Sequence, residues 1–192
     1  MPLAVVTVGQ NPFAAAWWMP VSKKPFRFAV AVDRRNHSLH LMRARRRASL
    51  NLLSFEHYKD VIETGYTSGR RYENKIARTS LHFVDAQCLP GTKVIAEADA
   101  IYELELLREV DSDDADHVLF VFDVVYSEVR KRPRQRQPLL FLGGHDLATV
   151  GERVRHRRRH AKRNRPPTRV NELERTPNEE AEEETKVSAS GG

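Results

Sequence analysis

The chain has 192 residues, 40% of them hydrophobic, with 32 Lys+Arg against 26 Asp+Glu, enough for one domain of ordinary size plus an appendage. Residues 153–192 hold 11 Lys+Arg and 7 Asp+Glu of these, so the basic balance owes more to the tail than to the body, and whole-chain charge is a poor basis for a nucleic-acid function. A lone cysteine, Cys88, excludes an internal disulfide and a cysteine-only metal cage and fits a reducing, cytoplasmic setting; no apolar run nears the roughly 20 residues that span a bilayer, and Pro2–Val8 lacks the basic leader of a secretory signal.

In chain order, Leu3–Val8 is short and β-branched, a first strand turned by Gly9-Gln10-Asn11-Pro12. Phe13–Met19 is a second extended segment containing the chain's two tryptophans, Trp17 and Trp18. In an extended chain these neighbours point to opposite faces. Two readings follow: a bulky core strand ending in a turn, or one ring in the core and the other facing a ligand or a partner subunit. Ser22–Pro25 makes a loop, and Phe26–Val32 alternates as a half-buried strand. Ser38–Arg47 reads as a short amphipathic helix and Ala48–Leu53 as a strand. Ser54–Thr64 is predicted helical, capped at Ser54, with Phe55, Tyr58, Val61 and Ile62 at helical spacing. After the Gly65–Gly69 break, a second helical piece is expected over Arg71–Arg78. Then come strands at Leu81–Ala86, Val94–Val110, His117–Val129 and Leu139–Leu142. Many strands, short helices and no βαβ repeat argue for a mainly β fold, an all-β barrel with helical inserts. Arg153–Arg165 is basic and Glu172–Glu184 acidic, with little to bury, so 153–192 is read as a disordered tail behind a domain at 1–152.

Several segments have the chemistry of a site. Asn51 in ASLNLL offers a side-chain amide, or else is a strand residue bonded to backbone. Ser68-Gly69-Arg70, with Lys75 behind it, can hydrogen-bond and neutralise a phosphate at a helix start; the plainer alternative is a capped helix with solvated bases. His117 opens the strongest β segment. No metal is expected: His37, His40, His57, His82 and His145 lack ligand spacing, and His156 and His160 lie in an arginine run that would repel a cation.

Taken together, Asn11, Ala15-Ala16-Trp17, Pro20-Val21-Ser22, Ala48–Leu53, Ser68-Gly69-Arg70 with Lys75, Asp116-His117 and Pro138–Gly144 run collinearly in an order that resembles the flavin reductase-like family of FMN-binding split-barrel proteins. Two positions depart from the pattern: Ala115 and Phe122 stand where the family usually has glycine. The resemblance implies a split β-barrel homodimer with FMN held noncovalently in a groove at the subunit interface and reduced by NAD(P)H. Reduced flavin would then pass to a monooxygenase or another acceptor. It also implies that Trp17 and the Pro20-Val21 backbone line the ring, and that Asn51 and Leu52 lie beside the cofactor. Ser22, Ser68, Arg70 and Lys75, with the Gly69 backbone, would hold the phosphate, and His117 would orient substrate at the ring edge. The absence of GxGxxG agrees with a nicotinamide docking on flavin without a Rossmann domain. Two alternatives remain: an FMN-bearing electron carrier without free-flavin reductase activity, and a nucleic-acid-binding protein acting through Arg153–Arg165.

Overall fold

The computed structural model describes residues 1–72, 74–131 and 137–155; the expectations for 156–192, including His156 and His160, lie outside them. Seven antiparallel strands form the main sheet in the order β2-β1-β5-β8-β9-β4-β3. They are β1 Ala4–Val8, β2 Asn11–Ala15, β3 Trp18–Lys23, β4 Phe26–Asp33, β5 Arg47–Leu52, β8 Ala100–Val110 and β9 His117–Val129. The two edge strands, β2 and β3, are joined only by Ala16 and Trp17. Two residues reach no more than about 7 Å, so the sheet has to curl until its edges meet, giving a half-barrel. Asn11–Lys23 is thus one extended path: its first half ladders onto β1 and its second onto β4. The changeover falls at Trp17, whose carbonyl accepts from Ala31 N at 2.9 Å. Before that point β2 has no ladder toward β4, and the barrel is split there.

Alternation fills the inside. Ala4, Val6 and Val8 of β1, Phe28, Val30 and Val32 of β4, Ala48 and Leu50 of β5, and Phe120 and Phe122 of β9 share one core cluster. Each fully buried phenylalanine contributes roughly 2–3 kcal/mol. Helix α1, His37–Arg45, drops Leu39 and Met42 into the same cluster. Asn36 caps it, its side-chain oxygen accepting from Ser38 N at 3.0 Å. A second cluster covers the outer faces of β1 and β8. Val5 and Ile101 pack there with Val61 of α2 (Tyr58–Tyr66), with Val94 and Ile95 of β7 (Lys93–Ile95), which pairs with β6 (Phe83–Asp85), and with Leu147 of the hairpin β10 Leu140–Gly143 and β11 Asp146–Thr149.

The structure departs from the sequence reading in several places, one being that Ser22 and Lys23 of the expected loop belong to β3. The Ser54–Thr64 helix is a 3₁₀ turn at Phe55–His57 followed by α2, and Ser54 caps neither, because its hydroxyl donates to Asp99 Oδ2 at 2.5 Å. The helix expected over Arg71–Arg78 is reduced to a 3₁₀ turn at Ile76–Arg78. Val94–Val110 is two strands, not one, broken between Ile95 and Ala100. Finally, β11 is joined by a strand not expected from the sequence, β12, Glu152–Arg155.

A buried carboxylate fixes the loop between β6 and β7. Glu103 is 1% exposed. It accepts backbone N–H bonds from Gln87 at 2.6 Å, Cys88 at 2.8 Å and Leu89 at 3.0 Å.

Candidate functional site

The two tryptophans separate as the extended pattern requires. Trp18 turns inward onto Phe28, ring centroids 5.6 Å apart, and its indole N–H donates to the Pro2 carbonyl at 3.0 Å. Trp17 turns outward and stays 50% exposed. Its ring lies 4.4 Å from that of His117, tilted 32°. His117 starts β9 opposite Asp33 of β4, and its Nδ1 is 2.7 Å from Asp116 Oδ1. Between these walls, in the split itself, is a cleft of about 210 Å³. Ala14, Ala16 and Trp17 form one side; Val32, Asp33, Asn36 and His117 form the other. Asp33 is held at about 2 by the hydrogen bond from the Arg35 side chain, against some desolvation, with help from the Arg35 backbone and the charges of Arg35 and His117.

A cationic mouth adjoins the cleft. After α2 the chain turns at Ser68, whose carbonyl accepts from Arg71 N and Tyr72 N. This brings Gly69 against the start of β2, where a Cβ would lie 2.4 Å from Asn11 Oδ1 and 2.8 Å from His37 Cδ2. Only a residue without a side chain fits. A second cavity of about 260 Å³ opens here, lined by Gln10, Asn11, His37, Arg45 and Gly69 among others. The Arg70 guanidinium reaches out to His40, 3.4 Å from Nε2. The two cavities are neighbours across one hydrogen-bonded chain: Asn11 Nδ2 donates to Ser38 Oγ at 2.8 Å, and Ser38 N donates to Asn36 Oδ1.

Trp17, His117, Ser68, Gly69 and Arg70 therefore share one face. The other sequence candidates do not all join them. Pro20, Val21 and Ser22 follow Trp17 along β3, at a bulge on the exposed edge. Ser22 pairs with Arg27, six residues down β4 from Asp33, about 20 Å at strand rise. Within one chain that places Ser22 at the far end of the β3–β4 pair, away from both the Trp17–His117 cleft and the Ser68–Arg70 loop. Lys75 lies beneath the loop, 4% exposed, with Nζ donating to the Thr64 carbonyl at 2.9 Å. Burial pushes its amine down to about 8. Asn51 is wholly buried: its amide donates to Val5 O at 3.1 Å and Ser49 Oγ at 2.9 Å, and accepts from Ile95 N at 3.0 Å. It ties together β1, β5 and β7, as the plainer reading of that strand had it. Leu52, partly buried, packs against the barrel core. Asn11 entered only as part of the family motif, and Asn36, His37, His40 and Arg45, which stand at the two cavities, were not picked out as site candidates. The signal was the NHSLH run, where a cap residue is followed by two imidazoles three apart at a helix start.

The donor set suits a flat heteroaromatic ring bearing a phosphate. An exposed indole stands at a narrow cleft with apolar and polar walls, and next to it lies a glycine-lined recess ringed by a guanidinium and imidazoles. A curled antiparallel barrel open at one seam, with an aromatic wall and a basic mouth, defines the class of protein. The profile of the flavin reductase like domain matches residues 1–148, and the chain belongs to that family. An uncharacterized protein of Aeropyrum pernix is 34% identical over 134 residues, 67% of this chain and 51% of that protein; the chain thus spans about half the length of that curated relative. Among solved structures, an FMN-binding protein from Thermus thermophilus with bound p-hydroxybenzaldehyde superposes with a TM-score of 0.68 at 27% identity, covering 77% of this chain and 85% of the other. A NADH:FAD oxidoreductase of Streptomyces globisporus gives a TM-score of 0.63 at 19% identity over 82% and 86%. Among the described residues, no helix is long and apolar enough to cross a membrane.

Proposed function

We propose that the domain binds FMN noncovalently in the split and works as an NAD(P)H-dependent flavin reductase, handing reducing equivalents to a monooxygenase or another flavin-dependent acceptor. The observation that carries this reading is the half-exposed Trp17 ring, paired with His117 at a cleft that neighbours a second, cationic recess. Trp17 would line the ring from this chain; Pro20, Val21 and Ser22, farther along β3, could reach it only across a subunit interface. Ser68, the Gly69 backbone and Arg70 would hold the phosphate, with Lys75 supporting the loop from below. When bound, FMN would supply the two-electron chemistry that lets a nicotinamide donate hydride and an acceptor take the electrons.

The chain's own contribution is alignment and exclusion of water, which hydride transfer needs more than a protein base. His117, fixed by Asp116 and covered by Trp17, can present a ring N–H to a substrate at the cleft edge. A homodimer is part of the proposal, supported by exposed Met19, Val21, Leu107 and Val125 on β3, β8 and β9. Steady-state oxidation of NADH or NADPH with added FMN tests the reading. Turnover that saturates in flavin is expected. A yellow protein without turnover would leave an electron carrier, and a protein with no flavin affinity would end the proposal.

A further inference from the structure

The recess beside Gly69 has cations without acid partners and an imidazole without a hydrogen bond among the described residues. Elsewhere on the domain several arginines stand with carboxylates: Arg27 with Asp123, Arg43 with Glu109, Arg78 with Glu63, Arg130 with Glu128. Around the recess they do not. Among the described residues, Arg45 and Arg70 form no ion pair with an acid, and Arg70 reaches only His40. His37, at the first position of α1, faces Gly69 and makes no hydrogen bond with either ring nitrogen among the described residues.

The groups acting on His37 are its own burial, then Arg70, His40 and Lys75, and all of them push its proton affinity down. Arg45 lines the same cavity. Glu63, whose charge Lys75 feels, is already held by Thr67 Oγ1 at 2.6 Å and Arg78 Nε at 2.7 Å. An imidazole that makes no ring hydrogen bond among the described residues thus sits where burial first, and the charges of Arg70, His40 and Lys75 after it, oppose its protonation. A bound dianion reverses the field of those charges.

We propose that His37 is a specificity-determining residue of the phosphate seat: it is neutral in the free protein and takes a proton from solvent as a phosphate monoester dianion docks between it, Gly69 and Arg70. This rests on the cleft being the FMN seat. FMN binding is thereby coupled to proton uptake, whereas riboflavin, with the same ring and no phosphate, draws no proton. In the bound state both His37 nitrogens are donors, and one makes a charge-assisted bond to the phosphate.

The test is calorimetric titration of the full chain with FMN and with riboflavin at pH 7.5, in two non-phosphate buffers of different ionisation enthalpy. Net proton uptake is expected with FMN and none with riboflavin. His37→Gln and His37→Asn, each checked for the wild-type circular dichroism spectrum, should abolish the uptake. They should also weaken FMN about tenfold or more while leaving riboflavin unchanged. FMN binding with the same proton uptake in both variants, or equal uptake with riboflavin, would overturn the role of His37 and leave the flavin site standing. Absence of binding by either flavin would overturn the site and this inference together.

Discussion

Gly69→Ala isolates the geometry of the phosphate end. The backbone there needs no left-handed φ, so the new methyl group meets space alone and not torsional strain. That methyl carbon would lie 2.4 Å from Asn11 Oδ1, nearly an ångström inside ordinary carbon–oxygen contact. Asn11 cannot retreat, because its amide nitrogen is bonded to Ser38 Oγ at 2.8 Å and Ser38 N is bonded to the α1 cap. The His37 ring closes the other side at 2.8 Å. The Ser68–Arg70 turn must therefore lift, at about 1–3 kcal/mol if the rest of the fold stays put. A clamp displaced by about 1 Å loses on the order of a hundredfold in function. FMN affinity, followed by the flavin absorbance shift, should fall ten- to a hundredfold with the melting temperature down only a few degrees, and riboflavin should be affected less. Wild-type FMN affinity in a folded Gly69→Ala protein would refute the placement of phosphate at this loop.

Other perturbations address separate parts of the account. Trp17→Ala removes a half-exposed ring, so stability should change by under about 1 kcal/mol while FMN binding weakens clearly in a fluorescence titration. Lys75→Met removes a buried amine lowered to about 8 from its ordinary value of 10.5. In the parent protein the unfolded chain binds more protons between those values, so stability rises as pH goes from 8 to 10.5. That rise should vanish in the variant, as read by urea midpoints across the range, while the variant binds FMN more weakly. Asp33 is held near 2 against an ordinary value of 3.8, so its contribution is complete above pH 4 and is lost as pH falls through 2. Arg35 is exposed, so the loss should stay under about 1 kcal/mol and disappear in Asp33→Asn. Glu103→Ala leaves three backbone N–H groups without their acceptor and should cost about 3–5 kcal/mol in urea unfolding.

Much of the fold was legible because alternation and turn residues act locally. The outward Trp17 and inward Trp18 follow from strand period, and the α1 helix and the long β9 strand fall where their patterns place them. What the local pattern could not hold was pairing. Nothing in NPFAAAWW announces that one extended path serves both edges of the sheet, yet that changeover creates the cleft. Asn51 and Lys75 have the chemistry of ligand contacts, but their polar groups are spent or sheltered inside the chain: on β1 and β7 for Asn51, on the end of α2 for Lys75. The helix expected over Arg71–Arg78 falls in a segment with few residues to bury, and among its described residues the helical part is the 3₁₀ turn Ile76–Arg78. His37 and Gly69 are more than thirty positions apart, so their contact is a product of the barrel end and not of any motif.

The most direct test of the central claim uses the chain's own reporters, Trp17 and Trp18, the only tryptophans present. In a Trp18→Phe protein, the remaining emission comes from the ring at the cleft. Titration with FMN should quench it in a saturable, one-per-chain manner, and excess FMN should be needed to reach the same quenching in Arg70→Ala. Linear, non-saturating quenching identical to that of free tryptophan would mean that no flavin docks against Trp17.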